Sequence, residues 1–129
     1  MENDLRATLV AWLAADPALA AIHTVAEEAP LSVTPPWLGI AASASADWGT
    51  KERNGREVRV ALELETFTDL TSGDSELLRA IERRVLDLPP FQPGFEVASI
   101  RFLRSRSQAR PDNRRGALVE YRFRIFAPN

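Results

Sequence analysis

Residue types that perform chemistry are scarce in this sequence. Its 129 residues include one histidine, His23, and no cysteine. Thiol nucleophiles, disulfides, cysteine-based zinc sites and metal sites built on two histidines are therefore excluded. His23 stands in no recognisable nucleophile motif, and we expect it at a strand end or on the surface. The phosphate-binding loops G-x-x-x-x-G-K-[ST] and G-x-G-x-x-G do not occur, and neither does the esterase motif G-x-S-x-G.

Two carboxylate pairs are the remaining candidates for acid–base chemistry. Glu27 and Glu28 are adjacent, so in an extended chain they point to opposite sides, whereas Glu63 and Glu65 share one side of a strand. We predict that this side of the strand faces water and that both carboxylates are solvated. The sequence therefore predicts no catalytic residue, no cofactor and no metal.

The two parts of the chain carry opposite charge. Residues 97–129 hold eight arginines against two acids, while residues 1–96 hold eight basic side chains against sixteen acids. If the fold places these parts on different surfaces, identical molecules can meet head to tail. If strands from both parts lie side by side, the charges cancel instead.

The arginines near the C-terminus and two tryptophans are the candidate interaction residues. The arginines could bind phosphates or an acidic protein, or they could form a solvated sheet face. Trp37 and Trp48 flank a loop-rich segment, where they could anchor an interface or pack under the loop. The candidate interface comprises Trp37, Trp48, Lys51, Arg53, Arg104, Arg106, Arg110, Arg114 and Arg115.

Helical spacing of apolar residues predicts two helices. The first begins at Asn3 or Asp4 and presents an apolar stripe, and Asp16-Pro17 opens a short turn after it. The second spans residues 71–88, begins with a capping box at Thr71 and Asp74, and ends before Pro89-Pro90. The apolar stripes are Leu5, Leu9, Trp12 and Leu13 in the first helix and Leu77, Leu78, Ile81, Val85 and Leu88 in the second.

Alternating residues predict the strands. They are a short strand at 22–26, a strand at 37–45, a strand at 56–67 and a hairpin with arms at 96–109 and 117–126. Residues 46–56 are predicted to form a projecting polar loop, and Leu103 breaks the alternation, which predicts a bulge. We expect one domain, 1–129, of the α+β class, with two helices on one face of a largely antiparallel, mixed sheet of four to five strands.

Neither a membrane span nor a signal peptide is expected. Asp16 and Pro17 interrupt the longest apolar run, and Glu2 and Asp4 outweigh Arg6 near the N-terminus. We therefore expect a cytoplasmic protein.

The order of these patterns resembles the DUF3168 family, which comprises tail terminator or tail-completion proteins of long-tailed phages and gene transfer agents. The resemblance covers nearly the whole chain. It rests on the opening helix with Asp16-Pro-Ala-Leu19, on Pro35-Pro-Trp-Leu-Gly39, Asp47-Trp-Gly-Thr50, the strand Val58 to Phe67 followed by Ser72-Gly-Asp-Ser-Glu76, the arginine-rich stretch Ser105 to Gly116, and Leu118-Val-Glu-Tyr-Arg-Phe-Arg-Ile125.

This resemblance implies a non-enzymatic structural protein. Such a subunit forms a ring, usually of six copies, at the head-proximal end of the tail tube, where it stops tube polymerisation. Its partners would be further copies of itself, the tail tube protein and a head-completion or stopper protein, with DNA passing through the lumen and no membrane involved. It would lie in the cytoplasm during assembly and then in the tail or neck of the particle.

Two other functions fit the sequence. One is a nucleic-acid-binding accessory domain that uses the arginine-rich C-terminal hairpin, and the other is a small-molecule enzyme whose site carries no recognisable motif. The first predicts DNA affinity that falls steeply with salt, and the second predicts a deep pocket with perturbed carboxylates.

Overall fold

Two helices and six strands form the part of the chain that the computed structural model describes, residues 1–30, 32–69 and 74–128. Helix α1 spans Glu2–Ala14 and is followed by one turn of 3-10 helix at Pro17–Leu19, and α2 spans Ser75–Leu86. The strands are β1 Thr24–Ala26, β2 Trp37–Asp47, β3 Gly55–Phe67, β4 Phe91–Gln92, β5 Phe95–Arg110 and β6 Arg114–Phe126.

The strands form one sheet in the order β1-β2-β3-β6-β5-β4. β1 runs parallel to β2, and all other neighbours are antiparallel. This confirms the α+β class and the largely antiparallel, mixed sheet. The expected count of four to five strands was too low, because β4 has only two residues, which pair with Phe95 and Glu96. Two residues between Pro90 and Pro93 are too few to show an alternating pattern.

Both helices cover the same face of the sheet, over β3 and β6. The alternation predicted for these strands is confirmed, because Val58, Val60, Leu62 and Leu64 of β3 are all buried. The side chains that complete this core are Leu5, Leu9 and Leu13 of α1, Ile81 and Val85 of α2, and Val119, Tyr121, Phe123 and Ile125 of β6. No helix of the described residues is long and apolar enough to cross a membrane.

Trp12 and Arg84 join the two helices. The indole Nε1 of Trp12 donates to the Arg84 carbonyl oxygen at 2.6 Å, and Arg84 Nε donates to the Trp12 carbonyl oxygen at 2.8 Å. The Arg84 guanidinium also lies 3.3 Å above the indole ring centroid. The packing of Arg84 on Trp12 makes this arginine part of the helix–helix contact.

The start of α2 differs from the expected capping box. Thr71 lies outside the described residues, and the Asp74 carboxylate makes no capping hydrogen bond to α2. It accepts a hydrogen bond from Ser107 Oγ of β5 at 2.6 Å instead. Asp74 therefore connects the start of α2 to the C-terminal part of β5.

The C-terminal hairpin is longer than its side-chain pattern indicates. Arg110 pairs with Arg114, so the turn comprises only residues 111–113, with Asp112 and Asn113 in the left-handed region at φ of 62° and 60°. Asp and Asn tolerate that conformation better than most residues. The bulge expected near Leu103 is confirmed by a register shift between Phe102 and Arg104, and a second shift lies between Val97 and Ser99.

The loop predicted at 46–56 is shorter, because strand pairing continues beyond the apolar residues. Ala46 pairs with Glu57 and Asp47 with Arg56, which leaves residues 48–54 as the connection. The two helices do not cover the whole sheet. Residues 41–47 of β2 and most of β5 are exposed to solvent.

Candidate functional site

Glu65 is the centre of a buried ion-pair cluster at one end of the sheet. Only 7% of this residue is exposed. Its Oε2 accepts from Arg110 Nη1 at 2.8 Å, and its Oε1 accepts from Arg114 Nη1 and from Trp37 Nε1, each at 3.1 Å. Arg110 Nη2 also donates to Glu63 Oε2 at 2.6 Å. Three elements that are distant in sequence therefore meet on one carboxylate.

The electrostatics of this cluster keep Glu65 ionised. Burial raises the pKa of the carboxyl, but hydrogen bonds from Arg110, Trp37 and Arg114 outweigh burial, and the pKa of Glu65 is lowered overall. Burial likewise lowers the pKa of Arg110, and its bonds to Glu65 and Glu63 reverse that effect and raise it. A carboxylate held in this way neither gives nor takes a proton near neutrality, so the cluster is structural.

Gly116 leaves room for the guanidinium group of Arg110 in this cluster. It lies opposite Glu65 in the β3–β6 pair, and the Arg110 guanidinium lies directly over it. A Cβ atom on this residue would overlap the guanidinium, so any larger side chain must displace Arg110. The position therefore requires glycine for close approach rather than for an unusual backbone angle.

A second group of candidate residues lies at the opposite end of the sheet. The Trp48 ring packs against Phe126 with centroids 4.9 Å apart, and the Arg124 guanidinium lies 5.4 Å from the indole centroid. Arg53 Nη2 donates to Glu96 Oε1 at 2.9 Å, and its Nε donates to the Ala127 carbonyl oxygen at 3.0 Å. These contacts hold the 48–54 loop against the C-terminal strand.

A third group of candidate residues lies along the second half of β5. It comprises Arg104 and Arg106 of β5 and Arg115 of the neighbouring strand β6. Arg104 Nη2 contacts Glu120 Oε1 at 3.0 Å, but the Arg104 side chain stays 77% exposed. Arg106 is exposed and lines a shallow depression beside Arg104, Leu118 and Glu120. Arg115 Nε donates to Ser107 Oγ at 3.0 Å and lies 3.8 Å from Asp74 Oδ2.

The nine candidate residues thus separate into internal contacts and exposed side chains. Trp37, Arg110 and Arg114 belong to the Glu65 cluster, and Trp48 and Arg53 hold the 48–54 loop. Arg115 contacts Ser107 and Asp74. Arg104, Arg106 and Lys51 are exposed. An interface role for these nine residues stays a prediction, and the exposed ones are best placed to contact another molecule.

The expectation that Glu65 is solvated was wrong. β6 lies between β3 and β5, and Arg110 at the end of β5 extends across Gly116 to reach β3. Sequence reasoning therefore missed Glu65 as the central residue. The available signal was a pair of carboxylates on one strand and an excess of arginines in the hairpin, which together indicate internal neutralisation.

Opposite charges lie side by side on the central strands of the sheet, whereas its two edges expose side chains of different charge. β3 and β6 are neighbours, and Glu57 Oε2 there lies 3.6 Å from Arg124 Nε. At the β1–β2 edge Glu27, Glu28 and Asp47 are exposed, although Arg6 lies 3.9 Å from Glu27 and Arg56 lies 3.4 Å from Asp47. β5 at the other end contributes Arg101, Arg104 and Arg106, all exposed. Both outcomes considered for the charged halves therefore occur, in different parts of the sheet.

Nothing in the described residues resembles a catalytic centre. No group of three or more His, Asp or Glu side chains there is arranged to hold a metal ion. His23 is exposed at the entry to β1, where its backbone N–H donates to the Pro36 carbonyl oxygen. The buried Tyr121 hydroxyl makes no hydrogen bond to the described residues, and burial raises the pKa of this phenol, which keeps it protonated.

A family model and a solved structure are similar to this chain. The family model described as "Tail completion protein gp17" matches residues 7–126. A chain from a structure described as "Virion of native gene transfer agent (GTA) particle" has the same fold, with a TM-score of 0.80, 16% identity, and coverage of 98% of this chain and 97% of that one. No curated protein matches the sequence.

The family match decides what kind of protein this is. It covers nearly all of the sequence, including every residue of β2, β3, β5 and β6. The tail-completion identification stated from the sequence is confirmed, although the matching model carries a different label from DUF3168. The chain belongs to the tail completion protein gp17 family and is a structural tail protein.

Proposed function

We propose that this protein forms a ring, of six copies by the family resemblance, at the head-proximal end of a tail tube. There it stops polymerisation of the tube and joins it to head-completion proteins. The family match over residues 7–126 is the observation that carries the proposal. The fold shared with a chain of a gene transfer agent virion agrees with a place in the tail or neck of a particle.

The charge distribution supports a ring of identical subunits. Exposed Glu27, Glu28 and Asp47 lie at the β1–β2 edge, and exposed Arg101, Arg104 and Arg106 lie on β5, so one subunit offers two different edges with side chains of opposite charge. A contact between two different surfaces is heterologous, and heterologous contacts close into rings when the rotation between neighbours allows it.

The same arrangement argues for a protein partner rather than nucleic acid. Arg110 and Arg114 are bound to Glu65 inside the molecule, so the hairpin offers fewer free guanidinium groups than its sequence indicates. Phe102 packs against the buried Tyr121 in a T-shaped arrangement and is 38% exposed, whereas Phe95 is buried, so β5 offers one partly exposed ring rather than a row of rings for base stacking.

The test is to add the purified protein to polymerising tail tubes of its own particle. We expect shorter tubes and a cap-like density at one end of each tube in negative-stain images. An unchanged tube length distribution, with no protein bound at the ends, contradicts the proposal. Tight DNA binding that weakens by about one power of salt concentration per phosphate contacted would support the nucleic-acid function instead.

A further inference from the structure

Two strand edges of the sheet are open along much of their length. β4 pairs only with Phe95 and Glu96, so from residue 98 to 110 no described strand lies on that side of β5. β1 pairs only with Trp37, Leu38 and Gly39, so no described strand lies beside β2 from residue 40 to 47. Each edge presents a row of backbone N–H and C=O groups that a further strand could pair with.

From residue 41 to 47 the β2 edge carries no lysine or proline, and a register shift with β3 lies between Ile40 and Ala42, at the start of this stretch. Solitary edges are commonly guarded by lysine, proline or a covering element. Residues 41–46 are alanines and serines, and they are exposed. From these edges we infer that β2 of one subunit pairs with β5 of the next, so that a continuous sheet runs through the ring. This inference rests on the proposed ring and specifies its subunit contact.

Strand direction favours this pairing. β2 and β6 run in one direction, and β3 and β5 run in the other, because each neighbouring pair from β2 to β5 is antiparallel. If the rotation between neighbouring subunits continues the sheet, β2 of the next subunit lies beside β5 and keeps its strand direction. The new pair is then antiparallel, as are four of the five pairs within the subunit.

The side chains on the two edges match in size. On the helix-covered face, Ser43 Oγ accepts from Arg6 Nη1 of α1 at 3.1 Å, and Ser105 lines a depression beside Leu78 of α2. On the opposite face Ala44 stands beside Arg59, and Arg104 stands beside Glu120. A register with Ser43 opposite Ser105 therefore joins two small side chains on one face.

The same register brings an alanine against each exposed arginine on the other face. Ala44 lies opposite Arg104, and Ala42 lies opposite Arg106. The long aliphatic stems of the arginines can then lie across the small alanine side chains.

Charge selects unlike edges over like edges. Pairing of β5 with a second β5 would bring Arg101, Arg104 and Arg106 against their own copies. Pairing with β2 brings them towards Asp47 and Glu2 of the neighbour, two carboxylates that share the single guanidinium of Arg56, and the Asp47 side chain is 83% exposed. Repulsion between arginines disfavours pairing of β5 with β5, and attraction between opposite charges favours pairing of β2 with β5.

Thiol crosslinking tests the pairing directly, because the chain has no cysteine of its own. The double variant Ser43→Cys/Ser105→Cys is treated with a short bis-maleimide, and its native mass is measured on the same sample by light scattering. Ser43→Cys combined with Leu103→Cys or Ser107→Cys covers slips in register. Ser43→Cys/Ala18→Cys is the control, because Ala18 is an exposed residue of the 3-10 turn and belongs to neither edge strand.

We expect a ladder of covalent oligomers up to the full ring for one of the three edge pairs, and at most minor products for the control. A ring mass with no ladder from any edge pair would overturn strand pairing and leave the proposed ring standing. A mass of one subunit at every concentration, with no crosslinks, would overturn the ring and the pairing together.

Two variants of opposite charge at Ala44 of β2 provide a second test in the otherwise native protein. Ala44→Arg should raise the concentration needed for half-assembly roughly tenfold, because it places a guanidinium against Arg104 of the neighbour. Ala44→Glu, at the same exposed site, should leave assembly unchanged or tighten it. Equal effects of the two variants would contradict the proposed contact.

Discussion

Arg110 at the end of β5 reaches across the intervening strand β6 to Glu65 of β3, with 2.8 Å between Nη1 and Oε2. Arg114 and Trp37 bind the other oxygen of the same carboxylate. This contact connects the tip of the C-terminal hairpin to the start of β2. It explains why part of an arginine-rich segment serves the fold, while the neighbouring exposed arginines are free to bind a partner.

Removal of the Glu65 charge should destabilise the protein. Glu65→Gln leaves Arg110 and Arg114 without their shared anion, and we expect a loss on the order of 2 kcal/mol in the free energy of unfolding. Denaturant unfolding followed by circular dichroism measures this loss. Glu63→Gln is the control and should cost less, because Glu63 binds only Arg110 of these two. Equal costs would show that Glu65 is not the centre of the cluster.

The Glu65 cluster should also give a pH dependence of known sign. The folded-state pKa of Glu65 lies below its ordinary value of 4.5, so its stabilisation is complete above that value and is lost as pH falls through the folded pKa. The stability difference between wild type and Glu65→Gln should be constant above about pH 5 and shrink in more acid solution. A difference that grows on acidification would contradict this assignment.

Gly116 should tolerate no larger side chain without loss of the Arg110 contact. Gly116→Val places atoms where the Arg110 guanidinium lies, so we expect a lower melting temperature and a more mobile hairpin tip. Hydrogen exchange of residues 108–116 measures the second effect. Unchanged protection there, together with an unchanged melting temperature, would show that Arg110 does not depend on this space.

The helix–helix contact should depend on one arginine of α2 and not on its neighbour. Arg84→Ala removes the contact over the Trp12 ring and the hydrogen bond to its carbonyl, which we expect to cost about 1–2 kcal/mol. Arg83→Ala, at an exposed site one residue earlier, should change stability by less than about 0.5 kcal/mol. Similar losses in both variants would mean that the positive charges in the last turn of α2, not the Trp12 contact, are responsible.

Charge reversal should separate assembly from folding. Arg104→Glu/Arg106→Glu alters exposed side chains, so we expect a folded protein that no longer docks to tail tubes. Arg110→Glu adds a third carboxylate beside Glu63 and Glu65, so we expect it to unfold more easily. The sequence alone placed Arg110 with the other two arginines in the candidate interface. Docking by the folded double variant would refute the assembly role of Arg104 and Arg106.

Alternation and helical spacing were sufficient to predict most of the fold. The inward residues of β3 and β6 and the stripe Leu5, Leu9 and Leu13 are buried as expected, because each pattern depends only on local geometry. The extra strand β4 and the longer ends of β2 were missed, since backbone pairing there involves polar or very few residues.

The candidate site was less predictable, because it depends on strand order. Glu65 and Arg110 meet only because β6 separates β3 from β5 and Gly116 leaves a gap between them. No local pattern contains that information. The charge excess of the hairpin was visible, but the division between internal and exposed arginines required the three-dimensional arrangement.

The mass of the purified protein across a concentration series tests the proposed ring most directly. Light scattering should show a closed species of about six times the 14.3 kDa of one chain, and negative-stain images of the same samples should show rings. A single-chain mass at all concentrations, both free in solution and in mixtures with tail tubes, would contradict the ring.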